Sequence, residues 1–345
     1  MKEIIHKLYK YSEISDDELK MLIDSASDKD DELLRLLADD VRRRYYGRDV
    51  FLRGLIEISS YCKNNCLYCG IRCGNKNAER YRLSREDILS CCDYGYSLGL
   101  RTFVLQGGED AFFNDEFLCP LISEIKQNYP ECAVTLSLGE RSIESYRKLK
   151  QAGADRYLLR HEAADEALYT KLHPESMLLE NRKSCLFTLK KLGFQTGSGF
   201  MVGAPYQTSD NIVSDIRFLQ KLNPEMIGIG PFIPHCSTPF KGFKQGDLAL
   251  VLRLVSILRL IFPKALIPST TALGTIHPYG REMGLKAGAN VVMPNLSPAD
   301  VRKKYMLYND KICTDEEACE NIAKLKKRIA DAGYEVLGGR GDAVK

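Results

Sequence analysis

Short apolar runs recur along the chain, and several follow a helix-like stretch that ends in glycine: "YSLGLRTFVLQGG" at Gly99, "KQAGADRYLLRHE" at Gly153, "KKLGFQTGSGFMVG" at Gly193 and "LKAGANVVMPN" at Gly288. Glycine just past a helix supplies the left-handed C-cap. The runs that follow, short and rich in Val, Ile, Leu and aromatics, suit strands buried on both faces. The pattern predicts strands over 51–59, 102–107, 133–138, 156–161, 195–202, 226–233, 266–272 and 290–294. Amphipathic helices are predicted near 84–98, 115–128, 142–152, 177–192, 208–221, 247–261 and 280–287. Eight strands alternating with helices indicate parallel strands joined by right-handed crossovers, and eight strands can close a barrel without edges. The expected fold is an α/β (β/α)8 TIM-type barrel, with an open doubly wound sheet as the alternative. A helical N-terminal extension over 1–46, a barrel over 47–312 and a C-terminal helical segment over 313–345, its helix at 315–333, complete the expected organisation.

In such a barrel the chemistry sits at the C-terminal ends of the strands. Here those ends read "QGGED" (106–110), "TLSLGE" (135–140), "RHE" (160–162), "PFIPH" (231–235), "STTALGT" (269–275) and "MPN" (293–295), and the first strand runs straight into a cysteine-rich loop. So many Thr, Ser, Glu and Arg residues on one rim favour a ligand pocket over ordinary loop polarity.

Composition narrows the function classes. With 345 residues, 44% hydrophobic and 28% charged, the chain can bury a large core. A net charge of +3, from 49 basic and 46 acidic residues without a dense basic block, gives no nucleic-acid surface. The N-terminus "MKEIIHKLYKYSEISDDELK" has no apolar signal core, and the longest apolar stretch, "LALVLRLVSILRLIF" (248–262), is broken by Arg253 and Arg259. A cytoplasmic, reducing setting without membrane contact is expected, where cysteines serve as metal ligands or buried thiols rather than staples.

The loop "ISSYCKNNCLYCGIRC" (58–73) holds four of the chain's 12 cysteines. A structural zinc wants four ligands, usually as two separated pairs, and no second Cys-x2-Cys pair exists. Cys62, Cys66 and Cys69, spaced x3 then x2, fit an iron–sulfur cube better, with three irons held and the fourth open. Cys73 is the challenger for that fourth position. Cys91, Cys92, Cys119, Cys132, Cys185 and Cys236 are read as small buried hydrophobes.

This cysteine spacing, with Tyr68 before the last ligand, resembles the radical S-adenosylmethionine (SAM) enzymes, whose 4Fe-4S cluster takes three cysteines and binds SAM through the fourth iron. "VLQGGED", "TLSLGE", "RYLLRHE", "GIGPFIPH", "STTALGT", "REMGLKAGANVVMPN" and "DKIC" narrow the likeness to HydE, the radical SAM maturases of FeFe hydrogenase, over roughly 50–313. Biotin synthase and methylornithine synthase share the loop and the barrel, and a methylornithine synthase-like or other small-molecule radical SAM enzyme is the alternative. The cofactors implied are a 4Fe-4S cluster on Cys62, Cys66 and Cys69, and SAM.

The resemblance also implies roles. Gln106, Gly107 and Gly108 would present a glycine-rich edge to the methionine amino group, the bland reading being a tight turn. Glu162 would bind SAM's ribose or ammonium, and Arg182 its carboxylate through a planar fork. Tyr68 would lie near the adenine, or merely pack the loop. The implied substrate is an iron–cysteine precursor carrying CO and cyanide, supplied by the maturase HydG and passed on towards HydF, with a ferredoxin or flavodoxin as electron donor. Arg156, Arg160, Thr270, Thr271, Tyr305 and Tyr308, with Met293 as an apolar wall, would form its cavity. An inward arginine needs an anion, so Arg160 would meet either that substrate or an internal carboxylate, Glu109, Glu140 or Glu162. An accessory cluster known in some relatives has only Cys313 and Cys319 here, since Ile322 stands at the third position, and it is expected to be vestigial. His173 stands where the family can have arginine.

Overall fold

Helices begin on polar side chains that accept from the first turn: Ser84 from Asp87 N, Asn114 from Phe117 N, Thr208 from Asn211 N and Asp247 from Leu250 N. The helix ends that the sequence places at Gly99, Gly153, Gly193 and Gly288 are found there, these glycines having φ of 87°, 111°, 76° and 109°. The computed structural model describes residues 1–314 and 318–344, and the side chains of all of these except 318–320.

Three helices come first: α1 (Lys2–Tyr11), α2 (Asp16–Ser25) and α3 (Asp28–Tyr46). Then follow β1 (Asp49–Leu52), β2 (Gly54–Ser59), α4 (Arg85–Ser97), β3 (Thr102–Gly107), α5 (Asp115–Asn128), β4 (Ala133–Ser137), α6 (Ile143–Gln151) and β5 (Arg156–Leu158). The second half runs α7 (Glu166–Leu172), α8 (Leu179–Lys191), β6 (Gln195–Ser198), β7 (Met201–Val202), α9 (Ser209–Leu222), β8 (Met226–Ile227), β9 (Gly230–Pro231) and α10 (Leu248–Ile261). It closes with α11 (Thr271–Ile276), α12 (Gly280–Lys286), β10 (Val291–Val292), α13 (Ala299–Arg302), α14 (Ala318–Asp331) and β11 (Glu335–Leu337).

All strand pairings are parallel, with β2, β3, β4, β5, β6 and β8 in one sheet. Single parallel bridges continue the circuit, from Met226 to Leu266, from Pro268 to Val291 and from Asn295 back to Leu55. The architecture is therefore of the TIM type, but its ladder does not close into one continuous sheet. The expected first strand is shared between two pairings. β1 lies between β10 and β11, and from Gly54 onward β2 pairs with β3 instead.

Several expectations are corrected. The run 266–272 forms only isolated bridges before turning into α11, where Thr270 caps the helix by accepting from Leu273 N. α7 is an addition to the expected helices, and the C-terminal segment is not only helical, since β11 adds a strand beside β1. The predicted residues 315–317 of the C-terminal helix lie outside the described residues.

α10 explains its own apolar sequence. The helix is almost wholly buried beneath α3, and its two arginines are spoken for: Arg253 makes a two-pronged contact with Asp31 of α3 at 2.6 and 2.9 Å. Arg259, fully buried, donates to Gly288 O and Pro263 O at 2.8 Å each. Among the described residues, no helix is long and apolar enough to cross a membrane.

Candidate active site

The cysteine loop leaves β2 at the C-terminal end of the sheet and is held by side chains rather than by secondary structure. Arg80 donates to Ser60 O, to Ile71 O at 2.8 Å and to Arg72 O at 2.7 Å, and Asn75 Nδ2 donates to Gly70 O at 2.6 Å. Tyr81 anchors the loop's far end by donating to Glu57 O at 2.7 Å. The edge of β3 meets this loop closely. A Cβ on Gly108 would lie 2.2 Å from Tyr61 O and 2.6 Å from Cys62 Cβ, so only glycine fits there. The next amide, Glu109 N–H, donates to Cys62 Sγ at 3.4 Å.

Cys62, Cys66 and Cys69 line a cavity of about 350 Å³ at this end of the barrel, whereas Cys73 is exposed and outside it. Burial pushes all three thiols up, Cys69 to about 12, and at Cys66 the neighbouring Cys69 and Cys62 add to the rise. Such a trio stays protonated at neutral pH unless a cation draws the protons off. Among the described residues, no three His, Cys, Asp or Glu side chains converge tightly enough for a single metal ion. A cube instead asks each thiolate for its own iron, so three neighbouring but separate sulfurs, one already receiving an amide N–H, fit a 4Fe-4S cluster.

Opposite the cysteines stands a set of charges. Arg160 Nη2 lies 3.0 Å from Glu162 Oε2, so the inward arginine finds an internal carboxylate. Its Nε is buried with no hydrogen-bond partner among the described residues, as a group aimed at a ligand would be. Arg182 is buried with Nε 2.8 Å from Glu140 Oε1 and Nη2 3.8 Å from Glu109 Oε1. Burial opposes its charge, but Tyr169, Glu140 and Glu109 more than compensate and keep it cationic.

Tyr68 packs edge-on to His173 with its hydroxyl 3.2 Å from Nε2. His173 Nδ1 lies 2.9 Å from Tyr169 O, a carbonyl that can only accept, so Nδ1 carries the proton and Nε2 accepts from Tyr68. Burial pushes this imidazole down to about 3, and it is neutral.

Gln106, Gly107, Gly108, Thr270, Thr271, Met293, Tyr305 and Tyr308 line the same cavity as the cysteines, Tyr68, Arg160, Glu162 and Arg182. Gln106 Nε2 donates to Tyr305 OH at 3.4 Å, and Thr271 Oγ1 accepts from Arg281 at 3.2 Å. Arg156 does not join them. It begins β5, at the opposite end of the barrel, and its guanidinium donates to Thr102 Oγ1 at 3.1 Å, Arg340 O at 2.7 Å and Asp342 Oδ1 at 2.6 Å. The anion that this buried arginine requires comes from the chain's own C-terminal tail.

Two cavity residues escape the sequence reading. Lys311 Nζ lies 2.5 Å from Glu57 Oε1, and Asn295 Nδ2 donates to the other carboxylate oxygen at 2.9 Å. The charged residue inside "GLIEIS" is the available signal, since a lone glutamate in a strand buried on both faces needs a partner. Cys313 lies 3.7 Å from Arg281 Nη2, while the side chain of Cys319 is outside the described residues.

Comparison with known proteins agrees with this geometry. The profile of the Radical SAM superfamily matches residues 56–219. The chain is 46% identical over 328 residues to the [FeFe] hydrogenase maturase subunit HydE of Thermotoga maritima, covering 95% of this chain and 93% of that protein. It is 31% identical to 3-methylornithine synthase of Methanosarcina acetivorans, covering 95% and 92%. The crystal structure of methylornithine synthase (PylB) superposes with a TM-score of 0.85 at 26% identity, covering 97% of each chain.

Proposed function

This chain belongs to the HydE family of radical SAM enzymes, and from that premise we propose that its cavity joins SAM cleavage to work on an iron–cysteine precursor bearing CO and cyanide, in assembly of the FeFe-hydrogenase active site. As a radical SAM enzyme it uses a 4Fe-4S cluster and SAM. The observation that carries the site assignment is the gathering of Cys62, Cys66, Cys69, Arg160, Glu162 and Arg182 around one cavity.

Cys62, Cys66 and Cys69 would hold the cluster, with the Glu109 amide easing negative charge on the Cys62 sulfur. When bound, the cluster supplies one electron that breaks a sulfonium C–S bond of SAM and yields a 5'-deoxyadenosyl radical. The chain's own residues bind, orient and exclude water. Glu162 offers a carboxylate to SAM's hydroxyls or ammonium, and Arg182 offers a fixed fork to its carboxylate. Tyr68, its hydroxyl committed to His173, presents a ring edge and face rather than a free donor towards the adenine.

The substrate side is hydroxyl-rich and carries an arginine. Arg160 supplies positive charge, and Thr270, Thr271, Tyr305 and Tyr308 supply hydroxyls for cyanide or carboxylate groups. Met293 and Leu307 give apolar wall, so a radical formed inside meets little water. HydG as source, HydF as recipient and a ferredoxin or flavodoxin as reductant belong to the same proposal.

The test is anaerobic incubation of the reconstituted, reduced protein with SAM and the HydG product. Consumption of the iron complex together with SAM is expected. SAM cleavage that leaves the complex intact but converts an amino-acid substrate would move the chain to the methylornithine synthase reading.

A further inference from the structure

We infer that the buried pair His161–Asp215 is a positioning device that sets Arg160 and Glu162 at the cavity wall and thereby sets SAM affinity. The inference rests on the reading that this cavity takes SAM. Arg160, His161 and Glu162 are consecutive, and the outer two line the cavity while His161 between them turns away into the protein, against α9.

The contacts of His161 define its role. Nδ1 lies 2.9 Å from Ser198 Oγ, and that hydroxyl donates its one hydrogen to Leu159 O at 3.1 Å. Oγ therefore accepts from the imidazole, and Nδ1 carries a proton. On the ring's other side Nε2 faces Asp215 Oδ1 at 3.3 Å. The same carboxylate oxygen accepts from the backbone N–H of Ala164 at 2.6 Å. One aspartate on α9 thus grips the chain on both sides of Glu162. Phe218, at a centroid distance of 4.8 Å and 65°, packs against the imidazole ring.

What is gripped is an unusual conformation. Glu162 has φ 64°, a left-handed geometry that a residue with a Cβ adopts only when its surroundings impose it. Its own N–H donates to Gly199 O at 3.1 Å, and the clamp at 161 and 164 fixes the flanks. If the flanks relaxed, Glu162 would leave that conformation, and Arg160, 3.0 Å from its carboxylate, would move with it. Ser198, His161 and Asp215 have the residue types of a hydrolytic triad, but all three are fully buried and the serine hydroxyl is committed to a carbonyl. Nothing can reach that serine, so the trio holds the loop instead of reacting.

The experiment measures the SAM dissociation constant of the cluster-loaded protein from the change in its reduced-cluster EPR signal, alongside the unfolding midpoint. Asp215→Asn and His161→Phe are each expected to weaken SAM binding about tenfold or more, a loss of about 1.4 kcal/mol or more, with the SAM-free cluster signal unchanged. In a Glu162→Gln background, adding Asp215→Asn should weaken binding no further, because the clamp acts through that carboxylate. Should either core variant fail to fold, Ser198→Ala, which leaves the His161–Asp215 contact in place, is expected to show a smaller weakening, and an unchanged constant there overturns the inference. Unchanged affinity in folded variants, or fully additive effects with Glu162→Gln, overturns it as well. A wild-type protein whose signal ignores SAM would instead remove the functional reading beneath it.

Discussion

Lys311 Nζ lies 2.5 Å from Glu57 Oε1, joining residues 254 positions apart inside the cavity. Both side chains are buried, and the ammonium also donates to Tyr305 O at 3.0 Å, so this pair ties the last segment of the barrel to β2. Breaking such a pair from one side leaves an uncompensated buried charge.

Lys311→Met is therefore expected to cost about 3–5 kcal/mol of unfolding free energy, as measured by denaturant titration. The double variant Glu57→Gln/Lys311→Met should recover much of that loss. Losses that simply add would show that the two side chains act independently.

Gly108 is expected to be intolerant where its neighbour is not. Gly108→Ala drives a methyl to within 2.2 Å of Tyr61 O and 2.6 Å of Cys62 Cβ, whereas the corresponding atom on Gly107 meets nothing nearer than 3.4 Å. The first variant should lose about 1–3 kcal/mol and hold less iron after identical reconstitution. Equal iron content in the Gly107→Ala and Gly108→Ala proteins would contradict the close packing of β3 on the cysteine loop.

His173 gives a pH dependence with a definite sign. Burial lowers its folded-state value from 6.5 to about 3, so below pH 6.5 the unfolded chain binds a proton that the folded one refuses. The stability it contributes is complete above 6.5 and is lost as pH falls towards 3. Between pH 6.5 and 5.5 the wild type should lose about 1 kcal/mol more than His173→Gln in matched unfolding experiments. Parallel curves would mean that the imidazole is not held neutral.

The cysteines divide sharply. Cys69→Ala should lose cluster and SAM cleavage together, whereas Cys73→Ala, whose thiol is exposed and outside the cavity, should keep both. Loss of cluster iron from the Cys73→Ala protein would give that residue a ligand's role.

Much of this is legible in the chain itself because local rules decide it. The glycines at 99, 153, 193 and 288 punctuate helix and strand through their own backbone freedom, and strand ends collect at one rim because parallel strands share a direction. The residues from Gln106 to Tyr308 that line the cavity are found through polar strand ends and the family likeness together. What is missed depends on tertiary partners. Arg156 reads like a cavity arginine because a buried arginine needs an anion and the one it has, Asp342, lies far along the chain, although its place at the start of its strand already sets it away from the C-terminal rim. β11 is hidden in a short segment after a helix, and its pairing exists only because β1 has an open side there. Residues 270–272 read as the end of a strand but lead into α11, since Thr270 can cap that helix once the chain turns at the rim. The left-handed Glu162 has no local signal at all, because it is imposed by Gly199, Ser198 and Asp215 around it.

The central claim is that three cavity thiolates leave one iron free to take SAM. The most direct test is the EPR spectrum of the anaerobically reconstituted, reduced protein before and after SAM is added. A shift of the cluster signal on addition is the expected result, and a spectrum indifferent to SAM at saturating concentration would contradict the account.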